Sequence, residues 1–447
     1  MLKHTLSASE KQETQEKSWE LQGLCMRFLW PLLEQLDQRL DIRMVNTFIN
    51  LMRIIVIHRD RHQGLVISEL GGELLGEDRA PAGAKRIRKL LHSTRWKAQQ
   101  IEEELWRQAD QRVEQLNCSN DEGLVIWDES ELEKPESLAA EGLCPVRSSK
   151  AARLKRIKRG FYNPPGGRPI FVPGFHWLQI VVAGMKGAAR LAQLHWWTSR
   201  GEQASEKRKE EHQLLQHVAQ AWGKQVVHIF DQGFAGAPWL GLLLLFDLRF
   251  VLRWKKSYPL VGPDAQVQSA SRLVAWKRPQ DHRMIWDAPR HCWREVGILF
   301  RPVHHPDYPN FPLWLVVSRP GPGRKPWFLL TSEPIFSSQD AWRIIFLYAR
   351  RWQIEMTLRF EKSELAFESP RLLDWEARRK LLLITALVHA FLILLLALRF
   401  ERLKLWLLNT WCNRNGKWSR ETPTPLYRLR FALAHLWHDF PPVASLC

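Results

Sequence analysis

The sequence predicts an α/β fold, and three observations carry the prediction. Between residues 121 and 257, short apolar runs and stretches of helical period follow in the order strand, strand, strand, helix, strand, helix, strand. Two of the apolar runs, 124–127 and 226–230, end on an aspartate, Asp128 and Asp231, and α/β sheets commonly place functional groups at such strand ends. The stretch 258–337 shifts to Pro, Gly and Trp with short β-like runs, which reads as a β-rich insertion.

Taken in order, residues 1–120 repeat apolar positions at helical spacing, as in Leu33, Leu36 and Leu40, then Val45, Phe48 and Leu51. A Gly- and Ala-rich linker at 71–84 separates two such regions. After it, Lys85, Arg86, Arg88, Lys89, Arg95 and Lys97 form a basic helical stretch, either a DNA-backbone contact or a solvated basic helix. The strand 124–127 is followed by an acidic and then basic connection that includes Lys150, Arg153, Lys155, Arg156, Lys158 and Arg159. Two strands joined by a turn at 184–187 come next, then an amphipathic helix at 205–224, the strand 226–230, a helix, and a strand at 249–256 bearing Arg253 and Lys255. Within the insertion, SRLVAWKR, EVGILFRPV, LWLVVSR and KPWFLLTS are the β-like runs. One helix beginning near Gln339 follows, within a segment of core helices at 338–400, and a basic, Trp-containing tail at 401–447 ends the sequence.

The sequence has 447 residues, with 65 Lys and Arg against 47 Asp and Glu, a net charge of +18. A polyanionic partner is the first expectation. About +1 of that charge falls in residues 1–120 and about +17 in the remainder, so the attraction lies in the body of the protein. The 23 Trp exceed what a core of this size needs, and aromatics interleaved with Arg and Lys can stack on unpaired bases. Six scattered cysteines show no metal-ligand spacing, which fits a reducing compartment. The first twenty residues lack an apolar signal core, so secretion is not expected. The run 381–398 is apolar except for Thr385 and His389 and imitates a membrane span, but it reads as a helix buried in a soluble core.

The chemistry concentrates at 348–362. Tyr348, Arg351, Glu355 and Lys362 are spaced by three, four and seven, so on one helix they fall within a sector of roughly 60°. Trp352, Ile354, Leu358 and Phe360 can pack elsewhere. A carboxylate among cations suits a metal, a phosphate or both; the plain alternative is a solvated face with i,i+4 ion pairs. Asp128 and Asp231, each of which alone would pass for a turn or cap residue, tip the balance. With Glu355 they could hold two Mg²⁺ ions about 3.5 to 4 Å apart, enough to activate water or a 3′-hydroxyl against a phosphodiester.

The spacing Tyr348-x2-Arg351-x3-Glu355-x6-Lys362 resembles the Tyr-Arg-Glu-Lys signature of bacterial DDE transposases of the insertion-sequence-four superfamily. DQGF at Asp231 looks like that family's second Asp motif, and IWDES at Asp128 stands in the place of the first. The resemblance covers roughly residues 120–400. It implies an RNase H-like catalytic core, split as 121–257 and 338–400 around the insertion 258–337, with a helical N-terminal region that binds DNA ends. It further implies Asp128, Asp231 and Glu355 as catalytic metal ligands for two Mg²⁺ ions, with Mn²⁺ able to substitute. Tyr348, Arg351 and Lys362 would hold DNA phosphates, as would Arg253 and Lys255 on the strand feeding the insertion, and Trp327 would receive a base flipped out at the cleaved end. From the residues alone, Trp327 reads equally as core of the insertion. The implied reaction is nicking at terminal inverted repeats, a hairpin intermediate, and transfer of 3′ ends into target DNA within a homodimer, in the cytoplasm of a bacterium at the nucleoid. An RNase H-fold nuclease without strand transfer and a non-catalytic transposase-derived DNA-binding protein are the alternatives.

Overall fold

A computed structural model of the protein describes residues 7–58, 64–134, 139–151, 169–287, 290–412 and 424–442. The basic run from Arg153 to Arg159 lies outside them. Five helices come first: α1 (Ala8–Asp37), α2 (Ile42–His58), α3 (Ile67–Leu75), α4 (Ala80–Leu91) and α5 (Gln99–Cys118). A mixed sheet follows, made of β1 (Gly123–Glu133), β2 (Cys144–Arg147), β3 (Phe171–Ala183), β4 (Arg190–Trp197), β5 (Val226–Phe230) and β6 (Arg249–Arg253). Two helices, α6 (Lys207–Trp222) and α7 (Ala237–Leu245), are the crossovers into β5 and β6. The expected order of strands and helices is therefore present, with β2 an additional short strand.

In this sheet β1 lies antiparallel to β3 and parallel to β5, β5 is parallel to β6, and β2 and β4 both pair with β3. Parallel strands need crossover connections, which α6 and α7 supply. Alternation along β1 sends Leu124 and Ile126 to one face and Val125 and Trp127 to the other, each into its own apolar cluster.

The stretch 258–337 is β-rich, but it is continuous with the core sheet. Its strands are β7 (Pro259–Val261), β8 (Val267–Ser269), β9 (Asp281–Asp287), β10 (Cys292–His305), β11 (Tyr308–Arg319) and β12 (Trp327–Thr331). β12 pairs antiparallel with β6, so one path of hydrogen-bonded strands runs from β2 to β8. SRLVAWKR is not a strand. Ser269 Oγ accepts from the Arg272 N–H and starts a short helix, α8 (Ala270–Leu273), and Trp276 then takes a positive φ of 60°.

Four helices complete the chain: α9 (Ser338–Ala349), α10 (Trp352–Ser363), α11 (Trp375–Leu394) and α12 (Glu401–Trp411), with α13 (Leu426–Asp439) as a fifth after the segment 413–423. Three corrections arise here. The helix expected to carry 348–362 is two helices, because hydrogen bonds from Arg351 N–H to Tyr348 C=O and from Ile354 N–H to Arg351 C=O reach back only three residues and tighten the turn between α9 and α10. The apolar helix spans 375–394, not 381–398, and is buried as expected; Leu398 is exposed. The described parts of the basic tail are mostly helical, with Leu429, Leu433, Leu436 and Trp437 of α13 buried in the core. Among the described residues no single helix is long and apolar enough to cross a membrane, and α11 with the stretch from Leu398 to Trp411 is bent by 77°.

The linker at 71–84 is also mostly helix. α3 and α4 cross there so closely that a Cβ on Gly83 would meet the Gly71 carbonyl oxygen at 2.0 Å, and one on Gly71 would meet the Ala84 nitrogen at 2.3 Å. The glycines serve packing, not flexibility. On α4 and just beyond it, Lys85, Arg86, Arg88, Lys89, Arg95 and Lys97 are all exposed, so the basic stretch faces solvent.

At the middle of β5, His228 is fully buried, with Nδ1 accepting from Trp127 Nε1 at 3.2 Å and Nε2 unpaired. Burial pushes its pKa down to about 3. Below pH about 6.5 the unfolded chain takes up a proton that the native imidazole refuses, so stability is expected to fall by up to about 1.4 kcal/mol per pH unit until pH nears the folded value. The measurement is urea unfolding of wild type and His228→Gln between pH 4 and 7. Equal pH slopes for the two proteins would show that His228 is not the group responsible.

Candidate active site

Asp231 follows β5 directly, at the carboxyl end of the parallel pair β1/β5. Its Oδ1 accepts from Gly233 N–H at 2.6 Å, so it starts a one-turn helix; a Cβ on Gly233 would come within 2.9 Å of that oxygen. The cap role and a ligand role are compatible, since Oδ2 makes no hydrogen bond among the described residues. Asp128 departs from the expected position. It is interior to β1, opposite Gln179 of β3, because the antiparallel ladder to β3 carries β1 on to Glu133. The parallel ladder to β5 nevertheless stops at Ile126, two residues earlier, so Asp128 still stands beyond the end of β5 on the face of Leu124 and Ile126.

Glu355 comes from the first turn of α10. Arg351, at the junction of α9 and α10, holds it: Arg351 Nη2 donates to Glu355 Oε1, while Nη1 lies 3.9 Å from Asp128 Oδ2. The Asp128 carboxyl is pushed up to about 7, first by burial and then by the negative charge of Asp231, with Glu355 adding to it and Arg351 opposing it. Asp128 thus feels the charges of Asp231, which follows β5, and of Glu355 on α10, and Arg351 lies between Asp128 and Glu355. Among the described residues no three acidic, His or Cys side chains are drawn together closely enough to ligate an ion as they stand. The donor set fits a hard divalent cation, which prefers carboxylate oxygen, and such an ion would compete with Arg351 for Glu355.

Tyr348 is buried, with its ring 5.8 Å from the Arg351 guanidinium. Burial raises its phenol pKa, and Arg351 and Arg253 oppose that rise. Arg253 ends β6, paired with Leu329 of β12. Trp327 begins β12 on the same sheet face, half-buried, 5.0 Å from the Tyr348 ring at 69°. Lys362 and Lys255 stand apart from this group. Lys362 Nζ donates to the Glu131 carbonyl and lies 3.8 Å from Glu368, and burial lowers its pKa. Lys255 donates to Tyr258 Oη at 2.6 Å. Of the side chains expected to pack away from the polar face, Ile354, Leu358 and Phe360 are buried but Trp352 is exposed.

Two features behind the site were not legible in the sequence. Arg350 Nε and Nη2 donate to the carbonyls of Gly184 and Gly187, at 2.9 and 2.6 Å, and so fasten the helix junction to the β3–β4 turn. On the inner face of α10, Glu361 is fully buried, accepting from Gln179 Nε2 at 3.0 Å and lying 2.9 Å from His389 Nδ1 on α11. A carboxylate deep in an apolar stripe carries no local signal of its partners.

Residues 198–391 match the family model described as a transposase DDE domain. Over these residues the chain is similar to that family. The match takes in Asp231, Trp327, Tyr348, Arg351, Glu355 and Lys362, and begins after Asp128. No curated protein matches the chain. Among solved structures, the cryo-EM structure of the piggyBac transposase synaptic complex with hairpin DNA is similar at 12% identity and a TM-score of 0.43, covering 96% of this chain and 80% of that one. That likeness is too distant to argue from.

Proposed function

We propose that the chain is a DNA transposase with an RNase H-like core that cuts at the terminal inverted repeats of its own insertion sequence and transfers the 3′ ends into target DNA. The observation that carries this reading is that Asp231 and Glu355 both act on the buried Asp128, with Arg351 between Asp128 and Glu355, in a chain similar to the transposase DDE domain over residues 198–391. Mg²⁺ held by these carboxylates would activate water or a 3′-hydroxyl and stabilise the leaving oxygen. Arg351 keeps Glu355 in place and, with Arg253 and Tyr348, offers donors to the phosphate being cut. Lys362 and Lys255 serve the backbone further along the strand. Two copies act on two ends.

The test is incubation of the purified protein with Mg²⁺ and the DNA that flanks its reading frame, read on denaturing gels. Nicked ends followed by joined products support transposition. Cleavage without joined products would make the protein a nuclease, and binding without cleavage would make it a DNA-binding relative.

Trp327 is proposed as the platform for a base extruded as a hairpin forms, because a half-exposed ring packed edge-on against Tyr348 presents a face beside the site. Base stacking on such a ring contributes about 1 to 3 kcal/mol. Trp327→Ala is expected to leave first-strand nicking near normal and to slow hairpin closure by about 10-fold or more on that scale, with an abasic nucleotide restoring the rate. An unaltered hairpin step, measured by single-turnover kinetics, would return the ring to a packing role.

A further inference from the structure

Away from the carboxylates, a cleft of about 500 Å³ lies between α1, α5, the start of β4 and the end of α11. Arg27, Arg112, Arg190 and Arg399 line it, with Phe28 and Phe400 among its apolar walls and no Asp or Glu in the lining. None of these four arginines makes a side-chain hydrogen bond or ion pair among the described residues; Arg399 only overlies the Phe400 ring, 4.7 Å from its centre. None caps the carbonyls that end α11. The fifth arginine, Arg107, is already bonded to Glu104.

Arginine on a surface is ordinary, but several convergent, unpaired guanidiniums in one cleft repel one another and are costly to hold together. The repulsion is visible at Arg190, whose pKa is pushed down to about 10 by burial and by Arg112 and Arg399. What compensates such a cluster is an anion with several acceptor oxygens, and the guanidinium fork matches phosphate. We infer that this cleft binds a phosphate of the DNA backbone, at a place that shares no residue with the carboxylate site. The assignment to DNA rests on the proposed transposase reading; the assignment to phosphate rests on the cleft. Its position relative to the cutting site is fixed, because the β3–β4 turn that leads to Arg190 is the one Arg350 fastens to the helix junction.

The experiment uses the full-length protein and the variants Arg190→Gln and Arg112→Gln, with Arg208→Gln as control, since Arg208 is already paired with Glu211 at 2.9 Å. Two probes are applied: inorganic pyrophosphate in thermal unfolding, and a duplex oligonucleotide of arbitrary sequence in binding titrations across salt. Pyrophosphate is expected to raise the Tm of wild type and of the control but not of the cleft variants. In the absence of added anion, the cleft variants should unfold at or above the wild-type temperature, since a like charge has been removed. Each cleft variant should lower the salt slope of duplex binding by about one. Stabilisation by pyrophosphate with an unchanged slope would overturn the DNA assignment in favour of a free polyphosphate. A cleft variant that unfolds well below wild type and is indifferent to pyrophosphate would make the arginines structural and overturn the inference. Cleavage is scored in parallel with Mg²⁺: a slope that drops as expected in a protein that never cuts would sink the proposed reaction and leave the cleft standing, whereas normal cutting with unchanged slopes would sink the cleft's part in DNA binding alone.

Discussion

Asp231→Asn is expected to lower Mg²⁺-dependent strand cleavage by about 10³-fold or more while changing duplex affinity only a few-fold. Asp128→Asn and Glu355→Gln should do the same. The three act as a unit: Asp128 already feels the charge of both others, and the divalent ions they would hold would share all three as ligands. Losses from one unit do not add, so the double variant Asp128→Asn/Asp231→Asn should be scarcely slower than either single one. Removing the charge of Asp128 or Asp231 also relieves repulsion, so these two variants should be at least as stable as wild type, whereas Glu355→Gln gives up the ion pair with Arg351. That feature separates them from misfolding. Single-turnover cleavage beside thermal unfolding checks both points, and a multiplicative loss in the double variant would mean that the carboxylates serve separate steps.

His389→Ala is expected to destabilise the protein at neutral pH by about 2 to 4 kcal/mol. Glu361 is completely buried, and burial raises its pKa against the opposing pull of His389 and Gln179. Taking away the imidazole leaves a carboxyl in an apolar layer with one amide for company. Replacing both partners, as Glu361→Leu with His389→Leu, removes the polar demand together with its supply and should recover most of the loss. Urea midpoints at constant slope are the measure. A double variant no more stable than His389→Ala alone would show that packing, not the unpaired carboxyl, sets the cost. Because Glu361 lies one turn and a half beyond Glu355 on α10, the single variant should also blunt cleavage before it unfolds the chain.

What could be read from the sequence divides along physical lines. β5 was legible to the residue because five consecutive buried positions stop at an aspartate that starts a turn. β1 was drawn too short, since beyond Trp127 its side chains are polar; what extends it is the ladder to β3, a partner more than forty residues away. The α9/α10 break was invisible because nothing in YARRWQIE breaks a helix; the turn tightens where Arg350 reaches for two distant carbonyls. The periodicity of the Tyr-Arg-Glu spacing still holds across that break, so these side chains remain neighbours. Lys362, seven residues past Glu355, is drawn to Glu131 and Glu368 instead. Glycines at 71 and 83 read as a linker because sequence alone does not distinguish a glycine that bends from one that admits a neighbouring backbone.

The ladder between β6 and β12 bears on how such a chain can change. The chain leaves the core just after Arg253 and re-enters it at Trp327, and Leu329 is hydrogen-bonded beside Arg253. Exit and return are thus stitched together before anything in between is specified. Lengthening a segment whose ends are already joined costs little closure entropy, about 0.6 kcal/mol per doubling for a flexible loop. Because β10 and β11 pack into both apolar clusters, that latitude belongs to the turns at the tips of the excursion, where length can be added while Arg253 and Trp327 keep their places against Tyr348.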